Sequence, residues 1–242
     1  MDQLKAFYSE HYLKGSIEVL VSGAISDKSM STLENFLSNL PKNESNTLPE
    51  LKKGSFEPGK VLVEKENAIQ SAIRMGRPMF TINGEDYMKF KVLNTVLGGY
   101  FGSRLMSNIR EDKGYTYGIG SALVSYQDQG VFLLASEVGA DVCNNALKEI
   151  YFELGRLRDE LIPEKELDLV RNYMLGNIVR NLNGAFDMME RYKEIKHCDL
   201  SYDYFPKYME TIKTVTSKDL QEVANRYLKE EDLLELVVGK KG

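Results

Sequence analysis

The sequence predicts an α+β fold, an antiparallel or mixed sheet covered by helices on one face, and three observations lead there. Period-two hydrophobicity recurs from Lys60 to Gly76 and from Tyr115 to Val138, the alternation of strands with one buried face. Helical periodicity dominates the region from Asp141 to Leu228, in runs long enough to cover such a sheet. A helix followed by an apolar strand stands at each end of the chain, so an αβ remnant is expected ahead of the main domain.

The opening helix is expected near residues 2–13, with Leu4, Phe7, Tyr8 and His11 on one face. The apolar strand Ile17-Glu18-Val19-Leu20-Val21 follows and ends at Gly23. A second helix runs from about Asp27 to about Leu40, which sets the remnant at 1–40. Residues 41–59, from Pro41-Lys42-Asn43-Glu44-Ser45-Asn46 to Pro58-Gly59, are polar and rich in turn formers and read as a linker. The main domain then occupies 60–242. It opens with two strands, one around Val61 and Val63 and one over Ala68–Gly76, followed by a helix near 85–98, a Gly-Gly break at 98–99 and a shorter helix near 102–112. Strands Tyr115–Tyr126 and Gly130–Val138 flank Gln127-Asp128-Gln129, a polar interval that suits a hairpin. Asp141 can cap a helix to about Leu161, and Pro163 stands where a first turn tolerates proline before periodicity resumes to about 182. Helices are expected over 185–196, 203–213 and 217–228, and a last strand, Leu233–Val238, is closed by Gly239.

The two ends of the chain resemble each other. Gln3-Leu4, Tyr12-Leu13-Lys14 and Ile17-Glu18-Val19-Leu20-Val21-Ser22-Gly23 return as Asp219-Leu220, Tyr227-Leu228-Lys229 and Leu233-Leu234-Glu235-Leu236-Val237-Val238-Gly239, about 216 residues later with a one-residue gap. Coincidence between two amphipathic αβ units is one reading. Duplication is the other, since that spacing is domain-sized. Duplication implies that the chain starts within the last portion of one domain copy and contains a whole second copy, as a piece of a longer polypeptide.

Composition narrows the function. The chain has 242 residues, 43% of them apolar, and a formal charge of −5. Its charges are dispersed through every segment, so neither a nucleic-acid surface nor an anionic membrane is an expected partner. It lacks both an apolar run of about 18 residues and the charged-then-apolar layout of a signal peptide at Met1-Asp2-Gln3-Leu4-Lys5-Ala6. A soluble protein of the cytoplasm or periplasm is expected, with the compartment open. Cys143 and Cys198 read as two small apolar residues rather than a disulfide.

Metal and nucleophile chemistry find little support in the residues. Zinc needs three or four converging His, Cys, Asp or Glu side chains, and only His11 and His197 are present as histidines. Phe7-Tyr8-Ser9-Glu10-His11 would be an H-x-x-E-H motif with histidine in place of Phe7, but phenylalanine cannot ligate. Lys196-His197-Cys198-Asp199 could offer a nitrogen and a thiolate, yet neighbours on a helix point apart, and a helix-terminal or half-buried role suits His197. No serine or cysteine has an identifiable base.

The informative segment is Tyr100-Phe101-Gly102-Ser103-Arg104-Leu105-Met106-Ser107-Asn108-Ile109-Arg110-Glu111-Asp112-Lys113-Gly114-Tyr115-Thr116-Tyr117-Gly118. It resembles the F-x-S-R-L … I-R-E-x-x-G-x-x-Y signature in the second domain of pitrilysin-type, insulinase-like zinc metallopeptidases. In that family an arginine and a tyrosine seven residues apart bind substrate near the zinc, and Arg110 and Tyr117 match the pair. The chemistry suits them. A guanidinium presents paired donors to a peptide carbonyl or carboxylate, and a phenol can donate to a carbonyl. In isolation the same residues also suit an ion pair at Arg110 and simple packing by Tyr117.

The opening helix and strand are similar to the end of that family's first domain, and the later helices follow its order. The resemblance implies two similar α+β halves in a clamshell, with the inverted zinc motif on an early helix of the active half. The helix near 85–98 has no histidine, which matches the inactive half. What is implied is a substrate-binding half that binds no cofactor and has no catalytic residue of its own, so the isolated chain is expected to be inactive. Its implied partners are a zinc-bearing first domain or catalytic subunit and an extended peptide substrate lying along a sheet edge. The same resemblance extends to catalytically silent homologues, making a structural or assembly subunit the alternative. The strand within 1–40 carries unsatisfied edges, so docking onto its own body, or exchange in a homodimer, is expected.

Overall fold

The computed structural model describes residues 1–13, 17–40 and 54–242. Most of the expected linker, residues 41–53, therefore lies outside the described residues, as does the turn residue Lys14. Two compact units are distinguishable: Met1–Gly54 with Asn181–Glu194, and Ser55–Arg180 with Ile195–Gly242.

The first unit contains α1 (Asp2–Phe7), which continues as a π-helical turn over Tyr8–Leu13, and α2 (Asp27–Ser38). The Ser26 hydroxyl caps α2 by accepting from the Ser29 N–H at 3.2 Å. Neither helix buries a residue. Ile17–Val21 differs from the sequence expectation. The segment forms no ladder, and Ile17, Val19 and Val21 remain substantially exposed. A strand exists by pairing its backbone, and no neighbouring strand stands beside this one among the described residues.

The second unit holds one mixed sheet. Its strands are β1 (Gly59–Glu64), β2 (Gln70–Met79), β3 (Thr116–Ser125), β4 (Gly130–Gly139) and β5 (Leu234–Gly239), in the order β1-β5-β2-β4-β3. β1 runs parallel to β5, and the other neighbours are antiparallel. Alternation sets the buried face: Ile73 and Met75, Phe132, Leu134 and Val138, Ile119 and Leu123, and Val237 point into the core.

Helices cover that face. α3 (Tyr87–Gly98) lies against β3 and is buried nearly all round, with Phe90, Leu93 and Leu97 fully enclosed. α4 (Cys143–Asp159) faces β4 through the stripe Ala146, Ile150, Leu154 and Leu157. α5 (Glu164–Arg180), α7 (Tyr204–Thr214) and α8 (Ser217–Tyr227) pack against α3, and α8 also against α4. α6 (Ala185–His197) spans the boundary between the units. Each enclosed leucine or phenylalanine contributes about 1.5–3 kcal/mol relative to exposure. No helix among the described residues is long and apolar enough to cross a membrane.

The terminal repeat has a backbone counterpart. Gly23 and Gly239, which close the matched segments, both adopt left-handed φ, 124° and 139°, a conformation a β-carbon disfavours. In the second copy the matched strand is β5, an interior strand between β1 and β2.

Candidate functional site

The site grows from the turn that leaves α3. A β-carbon on Gly98 would approach the Ser121 N and Oγ to 2.6 Å, so glycine is needed where the end of α3 touches β3. Tyr100 then packs against Tyr173, the rings tilted by 31° with centroids 4.7 Å apart, and burial first, then Glu166, raises its phenol pKa. Phe101 projects outward, 61% exposed. Arg104 turns inward, with its side chain 6% exposed. Its Nε and Nη2 donate in parallel to the two Glu166 oxygens at 2.8 and 2.9 Å.

The shorter helix expected near 102–112 becomes π-helical over Met106–Asp112. Isolated π turns are uncommon and are frequent at functional sites. This one is held from beneath. Ile109 is fully buried, and the Asn108 amide donates to Glu149 at 3.0 Å and to Glu153, 3% exposed, at 2.8 Å. A polar cleft of about 490 Å³ lies here, lined by Arg104, Asn108, Glu149, Glu153 and Arg156 among others. Arg110 faces the other way. Its guanidinium carbon sits 4.7 Å from the Phe101 ring centroid, and it forms no ion pair among the described residues.

Tyr117 lies on β3, the edge strand next to the π-helix, and is 93% exposed. Thr116 pairs with Val138 but Ile119 with Ser136, so Tyr117 and Gly118 together oppose one residue of β4. Such a bulge re-aims a side chain. Thr116 Oγ1 accepts from the Gly118 N–H at 3.1 Å and donates to the Glu137 carbonyl at 2.6 Å, while Ser136 Oγ donates to the Gly118 carbonyl at 3.0 Å. Arg110 and Tyr117 thus stand on adjoining elements, without a hydrogen bond or ring contact between their side chains. The sequence reading missed Phe101, Asn108 and the Arg104–Glu166 fork. Gly118 within a strand was the readable sign of the bulge.

The donor set of the described residues does not fit zinc. Among the described residues no three His, Cys, Asp or Glu side chains cluster as metal ligands. His11 lies against the Phe7 ring at 4.6 Å, His197 is exposed at the end of α6, and Cys143 and Cys198 are not joined in a disulfide.

Residues 1–174 match the family model described as the peptidase M16 inactive domain. An uncharacterized zinc protease of Bacillus subtilis, YmxG, is 28% identical over 190 residues, covering 78% of this chain and 46% of the relative. Two solved structures share the fold. A peptidase M16 inactive domain from Pseudomonas fluorescens has a TM-score of 0.76 at 21% identity, covering 90% of this chain and 52% of that one. A protease from Helicobacter pylori has a TM-score of 0.77 at 20% identity, covering 90% and 54%. The chain spans about half the length of the curated relatives it matches.

Proposed function

The chain belongs to the peptidase M16 inactive-domain family, and from that premise we propose that it is the substrate-gripping half of a zinc-dependent peptidase whose metal is held by another domain or subunit. The observation that carries this reading is Arg110: a guanidinium backed by an exposed ring, free of carboxylate partners among the described residues, beside an edge strand. Such a group can donate to a peptide carbonyl or terminal carboxylate. Tyr117, exposed at the bulge, can donate its phenolic proton to a second carbonyl. An extended peptide pairing with the open edge of β3 would be recognised mainly through its backbone, which permits broad sequence tolerance.

Residues 1–40 are then the end of a preceding half, and the repeat supports this. The counterpart of Ile17–Val21 is the interior strand β5, so the segment is suited to a place inside another sheet of the same kind. A zinc-bearing half is the partner this reading requires, and residues of this chain hold and orient the peptide.

The test compares cleavage of a mixed peptide library and zinc content for this chain alone and for a parent polypeptide containing both halves. Activity confined to the zinc-loaded parent, and reduced by Arg110→Ala and Tyr117→Phe, is the expected result. A parent that cleaves equally well with both substitutions would remove the gripping role. A parent inactive in every form would favour a structural subunit instead.

A further inference from the structure

We propose that β1 is a self-complementary edge through which two copies of this chain pair. β1 is the outer strand at the end of the sheet away from β3, and no described strand pairs with its outer side. It carries apolar side chains on both faces. Leu62 lies on the face of Val237, and Val61 and Val63 lie on the face of Leu236 and Val238. All three are left 41–45% exposed. Natural edge strands are commonly blunted by proline, bulges or charged side chains, lysine above all; Lys60-Val61-Leu62-Val63-Glu64 has neither proline nor a bulge, and its two charges, opposite in sign, flank an apolar centre.

Backbone direction fixes one register. The Gly59 N–H donates to the Leu233 carbonyl and the Lys65 N–H to the Gly239 carbonyl. Alternate residues of a strand point their N–H and C=O to the same side. The odd-numbered residues of β1 therefore serve β5, and Lys60, Leu62 and Glu64 present theirs outward. An antiparallel partner centred on Leu62 matches outward residues with outward residues. Leu62 meets Leu62 of the second copy, Lys60 meets Glu64, and Glu64 meets Lys60. Val61 and Val63 meet across the other face.

Every opposed pair in that register is apolar with apolar or cation with anion, the combinations that stabilise cross-strand pairing. The twofold repeats each contact, as an isologous interface requires. Glu64 makes no ion pair among the described residues. Lys60 is 66% exposed, with its Nζ 3.9 Å from Glu235, which Lys241 meets more closely at 2.5 Å, and 4.8 Å from the Tyr151 ring centroid, so it turns from these contacts to meet Glu64 of the second copy. A six-residue edge is short, so association belongs to the weak end of specific interfaces.

Sedimentation of the whole chain from about 1 µM to about 1 mM spans the affinities in question. A concentration-dependent dimer is expected. Glu64→Lys opposes Lys60 with a like charge in both symmetric pairs and weakens the dimer on the order of tenfold, while adding Lys60→Glu restores it. Leu62→Cys in a Cys198→Ser background then forms an intermolecular disulfide under mild oxidation. Lys60, Leu62 and Glu64 are exposed, so circular dichroism should be unchanged by the substitutions at these three positions. A monomer throughout the range, a dimer indifferent to Glu64→Lys, or a Leu62 amide protected from hydrogen exchange in a monomer would overturn the proposal.

Discussion

The guanidinium carbon of Arg110 lies 4.7 Å from the centroid of the Phe101 ring, and this aromatic platform, rather than a carboxylate, holds the charge in place. A solvent-exposed cation–π contact is worth about 0.5–1 kcal/mol, enough to bias an arginine rotamer while leaving its donors free.

Phe101→Leu is therefore expected to weaken peptide binding about two- to fivefold with no loss of thermal stability. Arg110→Ala removes the charged hydrogen bonds themselves and should weaken it about 10- to 100-fold. Fluorescence anisotropy with labelled unstructured peptides measures both. Equal affinities for the two variants and the unaltered chain would show that this arginine does not grip.

The Arg104–Glu166 fork should respond asymmetrically. Arg104 is 6% exposed at its side chain and Glu166 30%, so removing the glutamate strands the more buried charge. Glu166→Leu is expected to cost about 3 kcal/mol. Arg104→Leu should cost less, since its abandoned carboxylate reaches water. Urea unfolding of both variants checks the order as well as the size.

The last residues of the chain neutralise a buried acid. Glu235, 2% exposed, accepts from Tyr151 at 2.8 Å and from Lys241 at 2.5 Å. Lys241→Met is expected to destabilise by about 2 kcal/mol in thermal or urea unfolding. Burial first, and the bond to Glu235 next, push the Tyr151 phenol well above its ordinary value. A raised acid contributes stability below its unfolded pKa, about 10, and loses it as pH climbs toward the folded value. Alkaline unfolding should thus begin above about pH 10, and Tyr151→Phe should flatten that part of the profile.

At the start of α8 the effect has the opposite sign. Thr216 and Asp219 form a capping box, with the Asp219 N–H donating to Thr216 Oγ1 at 3.1 Å and the Thr216 N–H to Asp219 Oδ2 at 3.0 Å. The Thr216 hydroxyl first, its N–H next and Lys89 after them lower the Asp219 pKa to about 2. Its stabilisation is complete above the unfolded value near 4 and is lost as pH falls through about 2. Asp219→Asn should lose about 1 kcal/mol at neutral pH and show a shallower acid dependence between those limits. An unchanged acid limb would mean that the cap is not formed in solution.

Most elements of the second unit are legible in the sequence because their signals are local. Phe132, Leu134, Ser136 and Val138 alternate, and Ala146, Ile150, Leu154 and Leu157 follow a helical stripe. Arg110 and Tyr117 were legible as candidates only through their motif. The Phe101 platform and the carboxylates that hold Arg104 and Asn108 were not, because Glu153 and Glu166 look like ordinary helix-surface acids until α4 brings Glu153 to Asn108 and α5 brings Glu166 to Arg104.

The sequence by itself determined the kinds of element, the repeat of the αβ unit and the family signature, since periodicity, glycine placement and motif spacing are properties of neighbouring residues. Tertiary structure alone decided the order β1-β5-β2-β4-β3, the π turn beneath Arg110 and the fate of the two αβ units. Leu233–Gly239 and Ile17–Gly23 carry nearly the same pattern, yet one is an interior strand and the other has no ladder. A strand is completed by hydrogen bonds to distant segments. The pattern states only that a stretch is fit to pair, and the presence of β1 and β2 on either side decides whether it does.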